Sequence, residues 1–146
     1  MCGITGLMVF GGRSLDVEAL DGMTAALAHR GPDQQGIKGV ATGPVGVGFG
    51  HTRLRIIDLS EAAAQPMANA DRAIWITFDA ELVARGVQFR SASDTEVIVR
   101  LDEQEGEACL DKLDGMFALA MWGERRQRLR VSWRPPRISQ RPCAGA

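Results

Sequence analysis

A cysteine directly follows the initiator methionine, and no other position in the chain offers clearer chemistry. Because the cysteine side chain is small, we expect Met1 to be removed, so that Cys2 carries its thiol and a free α-amine on one carbon. Ordinary pKa values are about 7.7–8.0 for an α-amine and about 8.5 for a thiol, so part of the amine is unprotonated near neutral pH and can accept the thiol proton. Such a residue is a nucleophile with its own base. The start of the chain therefore predicts nucleophilic catalysis by Cys2.

The residues after Cys2 predict that this nucleophile is held in a sheet. Gly3–Val9 is apolar and rich in strand formers, so we expect a buried strand rather than a frayed terminus. A helix is predicted from Val17 to His29, with Asp16 as its N-cap, because its apolar residues recur at spacings of one helical face. These apolar residues are Val17, Leu20, Met23 and Leu27.

The rest of the chain reads as strands with one further long helix. Alternation and apolar runs predict strands over Val45–His51, Leu54–Leu59, Ala73–Phe78, Val87–Arg90, Met116–Trp122 and Leu129–Trp133, the last two as a hairpin. Helical patterns predict helices over Asp94–Glu105 and Glu107–Leu113, and one or two helical turns over Asp79–Arg85. Strands dominate, so we expect an α+β layered domain.

Composition limits the classes of function. The length of 146 residues fits one domain, and the net charge of −1 indicates neither nucleic acid nor an anionic membrane as a partner. We find no apolar run long enough to span a bilayer and no secretory signal, so we expect a cytoplasmic protein. The three cysteines are widely spaced and form no metal-binding pattern.

Five segments, in this order, resemble the class II glutamine amidotransferase domain, in the form found at the N-terminus of glutamine-dependent asparagine synthetases. They are MCGITG (Met1–Gly6), HRGPD (His29–Asp33), GHTRLRIIDLS (Gly50–Ser60) with QPM (Gln65–Met67), SDTEV (Ser93–Val97) and LDGMFALA (Leu113–Ala120). Each motif is short, and the specificity lies in their common order over most of the chain.

The resemblance implies a fold and a reaction. The family fold is a four-layer αββα sandwich of the N-terminal-nucleophile hydrolase type, here incomplete. The Cys2 thiolate would attack the side-chain amide of L-glutamine and form a γ-glutamyl thioester, which water then hydrolyses. No metal and no cofactor is implied for this chain. ATP and magnesium would belong to an absent synthetase domain, and a synthetase subunit would be the partner that accepts the ammonia.

The resemblance also assigns substrate-binding roles. Arg53 matches the arginine that binds the glutamine α-carboxylate, a task that suits a guanidinium because it can form two parallel hydrogen bonds. Asp94 matches the aspartate that binds the α-ammonium, although Ser93–Glu96 also reads as a helix capping box. A self-activating Cys2 needs no other base, so His29 and His51 are predicted to be structural. The segment Arg30–Asp33 is predicted only as a loop near the pocket.

The chain departs from the family after Phe78. The family places Asn-Gly-Glu-Ile-Tyr-Asn and a helix here, and its asparagine side chain and glycine N–H form the oxyanion hole. If the alignment continues from Phe78, Asp79 and Ala80 stand in those places, and a carboxylate cannot donate the hydrogen bond. If Asp79–Gly86 instead aligns with the end of the lost helix, the whole hole is absent. Loss of one donor typically costs on the order of a hundred- to a thousandfold in rate.

The second departure is an Arg- and Pro-rich end. We therefore expect an amidotransferase domain over residues 1–132, with an internal deletion near 78–82, and a divergent, disordered tail over residues 133–146 of the kind that a frame shift would produce. Two hypotheses remain open from the sequence. The chain is either a glutaminase domain or an inactive truncated remnant or binding module of the same family.

Overall fold

The fold is a mixed α/β arrangement of two antiparallel sheets and two α-helices, seen in a computed structural model that describes residues 2–55, 59–82, 94–113 and 115–135. The strands are β1 (Gly3–Val9), β2 (Gln34–Thr42), β3 (Val45–Arg53), β4 (Met67–Ala68), β5 (Ile74–Leu82), β6 (Gly115–Gly123) and β7 (Arg128–Arg134). The helices are α1 (Val17–Ala25) and α2 (Asp94–Glu105), with short 3₁₀ segments over Glu61–Ala63 and Gly106–Lys112. One sheet has the order β1-β3-β2 and the other β4-β5-β6-β7.

The central strand β3 has two different faces. Glycines occupy alternate positions on the face toward α1, where a Cβ on Gly48 would lie 2.7 Å from Leu20 Cδ2. A Cβ on Gly50 would lie 2.0 Å from Thr24 Oγ1 and 2.3 Å from Thr5 Oγ1. Because only glycine fits these positions, α1 can pack directly on the backbone of the three-stranded sheet.

The opposite face of β3 carries large apolar side chains that pack toward the second sheet. Val47 and Phe49 are buried with Val40 and with Trp122 from β6. A second cluster lies on the α2 side of the four-stranded sheet and consists of Ile76, Phe78, Ile98, Val99, Leu113, Phe117, Leu119 and Met121. Burial of these side chains is the main force that holds α2 on its sheet.

Several predicted elements are confirmed. The strand Gly3–Val9 and the helix Asp94–Glu105 have the predicted bounds, and β6 and β7 form the predicted antiparallel hairpin. Asp16 caps α1, because its Oδ1 accepts a hydrogen bond of 2.8 Å from the Ala19 N–H.

Other predictions differ from the structure. Helix α1 ends at Ala25 rather than His29, because bonds such as Leu27 N–H to Thr24 O, 3.0 Å, continue the chain in tighter turns. Strand β2 is not predicted from the sequence, since its two glycines and Lys38 obscure the alternation on which a strand prediction depends. The predicted strand Leu54–Leu59 is wrong at Leu54, Arg55 and Leu59, which lie outside any strand, and its residues 56–58 lie outside the described residues.

The predicted helical turns over Asp79–Arg85 are wrong where the structure describes them. Asp79 to Leu82 continue β5 and pair with β6, with Asp79 opposite Ala118 and Ala80 opposite Phe117. Partner strand β6 supplies backbone hydrogen-bonding groups along this whole length, which outweighs the local helical pattern. Residues 83–93, which include the predicted strand Val87–Arg90, lie outside the described residues, as do residues 136–146 of the predicted tail.

Two residues of that predicted tail, Trp133 and Arg134, are part of β7.

Neither α1 nor α2 is long and apolar enough to cross a bilayer, and the same holds for every other helix in the described part of the chain.

The glycine face of β3 can be tested by substitution. Gly50→Ala is expected to lower the free energy of unfolding by about 1–3 kcal/mol, because the new Cβ overlaps two threonine hydroxyls. Gly22→Ala is the matched control: apart from the backbone of its own helix, no atom of the described residues lies within 4 Å of a Cβ there. Alanine in this helix should raise the free energy of unfolding by about 0.5–1 kcal/mol. Urea unfolding of the parent and both variants measures these changes. A Gly50→Ala variant as stable as the parent would contradict the close packing of α1 on β3.

Candidate functional site

Cys2 lies immediately before β1, at the end of the sheet where β3 also ends. The register pairs Gly3 with Thr52, which places Cys2 next to Arg53. Gly3 faces α1, since its Cβ would meet Thr52 Oγ1 at 2.7 Å and Leu27. Side chains alternate along a strand, so Cys2 lies on the opposite side, which faces the second sheet. The thiol is half-buried there.

Asp79 reaches Cys2 from the other sheet. The Cys2 N–H donates a hydrogen bond of 2.9 Å to Asp79 Oδ1, across 77 positions of sequence. Asp79 is half-buried and follows Phe78, whose side chain packs on the opposite face of β5 among the residues around α2. The space between the sheets therefore changes from apolar around Phe49 to polar around Cys2.

Gln65 fixes the part of β5 that carries Asp79. Its Nε2 donates to the Phe78 carbonyl at 2.9 Å, and its Oε1 accepts from the Phe78 N–H at 2.6 Å. These two bonds satisfy the backbone groups of Phe78 past the end of the short β4, as a neighbouring strand would. Gly36 permits the close approach of this loop, because its Cβ would lie 1.9 Å from the Gln65 carbonyl oxygen. Sequence reasoning gave Gln65 no role, and its only signal was the Gln65–Met67 motif.

Arg53 is buried at the end of β3, with 6% of its surface exposed. Its Nη1 donates to Gln34 Oε1 at 3.1 Å and to the Ser60 carbonyl at 2.9 Å. These bonds orient the guanidinium at the same end of the sheet as Cys2. A buried, oriented guanidinium at this end of the sheet can bind a carboxylate.

The turn after α1 closes the site from the side. Arg30 Nε donates to the Cys2 carbonyl at 3.0 Å, and the Asp33 N–H donates to the Arg53 carbonyl at 3.1 Å. Gly31 allows this contact, since its Cβ would lie 2.4 Å from the Thr52 carbonyl carbon. The sequence predicted a loop near the pocket, and these bonds place the loop directly against Cys2 and Arg53.

Of the two histidines, His51 lies near the site and His29 is exposed. His51 is 1% exposed, and its Nε2 has no hydrogen-bond partner among the residues that the structure describes. Burial lowers the pKa of His51 to about 4, against the opposing effects of the Asp79 carboxylate and the Phe78 carbonyl. The imidazole is therefore neutral near neutral pH. His29 Nδ1 lies 3.1 Å from the Ala26 carbonyl on the surface.

The surroundings of Cys2 disfavour its thiolate. Burial raises the pKa of the thiol most, and the negative charge of Asp79 and its hydrogen bond raise it further. The backbone of Leu54 acts in the opposite direction, because a hydrogen bond from it favours the thiolate. A nucleophile in this position therefore needs a base or a nearby positive charge.

Two of the residues predicted for the site are only partly described. Asp94 is the first residue of α2, and its side chain lies outside the described residues, as does Ser93. Ala80 is described through its backbone, which pairs with Phe117. The structure therefore brings together Cys2, Arg53 and Asp79. Among the described residues, no three or more His, Cys, Asp or Glu side chains form a group that could hold a metal ion.

Comparisons with known proteins agree on one family. The family described as "glutamine amidotransferase domain" matches residues 1–135. The chain is 38% identical over 142 residues to asparagine synthetase (glutamine-hydrolyzing) 3 of Bacillus subtilis, covering 88% of this chain and 22% of that protein. It is 32% identical over 147 residues to a putative asparagine synthetase of Methanocaldococcus jannaschii, covering 86% and 28%. It is 31% identical over 149 residues to amidase chyE of Penicillium rubens, covering 88% and 22%. The chain thus spans less than a third of the length of these relatives.

The burial of His51 predicts a pH-dependent stability. Its pKa is about 4 in the folded chain against an ordinary 6.5, so the unfolded chain binds more protons between these values. The free energy of unfolding should therefore fall by about 2 kcal/mol between pH 7 and pH 5 through this residue. Urea unfolding at both pH values measures the loss. His51→Asn should remove it and His29→Gln should retain it, whereas an unchanged loss in His51→Asn would contradict the assignment.

Proposed function

This chain belongs to the glutamine amidotransferase domain family, and from that premise we propose that it hydrolyses L-glutamine to glutamate and ammonia with Cys2 as the nucleophile. The observation that carries the proposal is the position of Cys2 immediately before β1, next to Arg53 in the strand register and on the side that faces the second sheet. With Met1 removed, the α-amine lies on the same residue as the thiol and needs no second catalytic base.

The proposed reaction has two steps. The Cys2 thiol gives its proton to the α-amine, and its sulfur attacks the side-chain amide carbon of glutamine. The C–N bond then breaks, the amine returns the proton to the departing nitrogen, and ammonia leaves a γ-glutamyl thioester. In the second step, water attacks the thioester, the C–S bond breaks, and glutamate and the free thiol are released.

Arg53 and Asp94 would select glutamine by its α-substituents. Arg53 is held at the end of β3 by Gln34 and Ser60, which supports a role in binding the α-carboxylate. Asp94 opens α2 and matches the family residue that binds the α-ammonium. Opposite charges at two fixed points would orient the side-chain amide toward Cys2.

We also propose that the domain, over residues 1–132, is a four-layer αββα sandwich of the N-terminal-nucleophile hydrolase type. In support, α1 contacts β1, β2 and β3, whereas α2 contacts β4 and β5 of the other sheet. An apolar cluster that includes Phe49 and Trp122 joins the sheets between them.

Asp79 favours the second candidate function, an inactive remnant or a binding module of the family. Strand β5 is continuous through Asp79 and Ala80, which supports their alignment with the Asn-Gly pair of the oxyanion hole. An ionised carboxylate donates no hydrogen bond, so transition-state stabilisation would be weaker. Such a domain could still bind glutamine through Arg53 and Asp94.

The glutaminase step would need no metal or cofactor, because the nucleophile and its base lie on one residue. The ammonia would pass to a synthetase subunit, where ATP and magnesium would act. We place this reaction in the cytoplasm.

Glutamate release separates the two candidate functions. Cys2→Ala should abolish release of glutamate from glutamine, because it removes the attacking sulfur. Cys109→Ala should retain it, since Cys109 is buried in the 3₁₀ segment after α2. A coupled glutamate assay on folded proteins measures both. Equal release by Cys2→Ala and the parent would exclude the proposed mechanism, and no release by the mature parent would favour the inactive remnant.

A further inference from the structure

The contact between Asp79 and the Cys2 nitrogen bears on the reactivity of Cys2 itself, and not only on stabilisation of the oxyanion. Removal of Met1 converts that nitrogen from a neutral amide into an α-amine that can carry a charge. We propose that in the mature chain the Asp79 carboxylate forms an ion pair with the Cys2 α-ammonium, keeps the amine protonated, and so moves the reactivity of Cys2 to higher pH. This inference rests on the proposed function for the identity of the nucleophile.

The geometry favours an ion pair because both partners are held by structure that does not depend on Met1. Gly3 pairs with Thr52 and fixes the chain directly after Cys2, and Arg30 Nε holds the Cys2 carbonyl. On the other side, Gln65 binds both backbone groups of Phe78. The 2.9 Å distance from the nitrogen to Asp79 Oδ1 is therefore set by two sheets, and it suits a charge-assisted hydrogen bond.

The same carboxylate acts on both groups of Cys2 in one direction. A nearby anion favours the ammonium over the amine and the thiol over the thiolate. The Asp79 charge and hydrogen bond already raise the pKa of the thiol, in addition to the larger effect of burial. The amine and thiol titrate as a coupled pair, so both of the pair's apparent pKa values should fall when the carboxylate is neutralised.

Other titratable groups lie at the same end of the sheets. Arg53 from β3 and Arg30 from the turn after α1 bring positive charge toward the site. His51 from β3 is neutral near neutral pH because its pKa is about 4. Asp79 from β5 is the negative group that accepts the hydrogen bond from the Cys2 nitrogen. Asp79 is therefore a positioning residue that acts through the protonation of Cys2.

The direct test is the pH dependence of Cys2 alkylation in the mature protein. Iodoacetamide is reacted with the parent and with Asp79→Asn, and the rate is read from the mass of the N-terminal peptide at each pH. We expect the midpoint for Asp79→Asn to lie about one pH unit or more below that of the parent, because the charge is lost while a hydrogen-bond acceptor remains. Alkylation is preferable to turnover as a readout, since asparagine would also add a donor for the oxyanion.

Two control variants separate this effect from structural changes. Asp79→Glu keeps the charge, so its alkylation midpoint should lie closer to that of the parent than the midpoint of Asp79→Asn does. Asp71→Asn changes the net charge equally but lies in an exposed turn, paired with Arg125, and should also match the parent. An unshifted Asp79→Asn midpoint, or an equal shift in Asp71→Asn, would overturn the inference.

A measurement on the parent alone keeps the inference testable if Asp79→Asn fails to fold. NMR titration of the Cys2 α-amine in the mature parent should give a higher apparent pKa than in the free peptide Cys-Gly-Ile-Thr. An equal or lower value in the protein would overturn the inference. Neither experiment uses glutamine, so a shifted midpoint without turnover supports the ion pair and contradicts only the proposed function. Turnover with an unshifted midpoint contradicts only the ion pair.

Discussion

The different chemistry of the two faces of β3 is the constraint on which the site depends. Glycines on one face bring α1 against the backbone, with no room for a Cβ at Gly50 beside Thr24. Large apolar residues on the other face, Val47 and Phe49, pack toward the second sheet with Trp122. Because the sheet is packed on both sides, β1 and β3 stay paired to their ends, and this pairing places Cys2 next to Arg53.

The candidate site lies at the end of this apolar layer, where the side chains between the sheets become polar. Along β3 the inward side chains change from Phe49 to His51 and Arg53, both buried, and on β5 the matching residue is Asp79. Family membership and the position of Cys2 favour glutamine hydrolysis. The same geometry places the Asp79 carboxylate against the Cys2 nitrogen. Both the proposed ion pair and the proposed loss of an oxyanion donor therefore depend on this one residue.

The sequence predicted those parts of the fold whose signal is local. Strand β1, helix α2 and the β6–β7 hairpin have clear apolar patterns or a short turn. It failed where long-range pairing decides, as at Asp79–Leu82, which β6 holds in a strand despite a helical pattern. For the site, motifs pointed to Cys2 and Arg53. The Asp79–Cys2 hydrogen bond and the anchoring by Gln65 join residues far apart in sequence, so no local pattern could reveal them.

The central claim is that Cys2 is a nucleophile in a site that aligns glutamine. The most direct test is the intact mass of the protein after incubation with 6-diazo-5-oxo-L-norleucine, a glutamine-shaped electrophile, using chains whose mass shows that Met1 has been removed. We expect one covalent adduct, located on Cys2 by peptide mapping. Mature protein that folds but gains no adduct, or an adduct elsewhere with Cys2 unmodified, would contradict it.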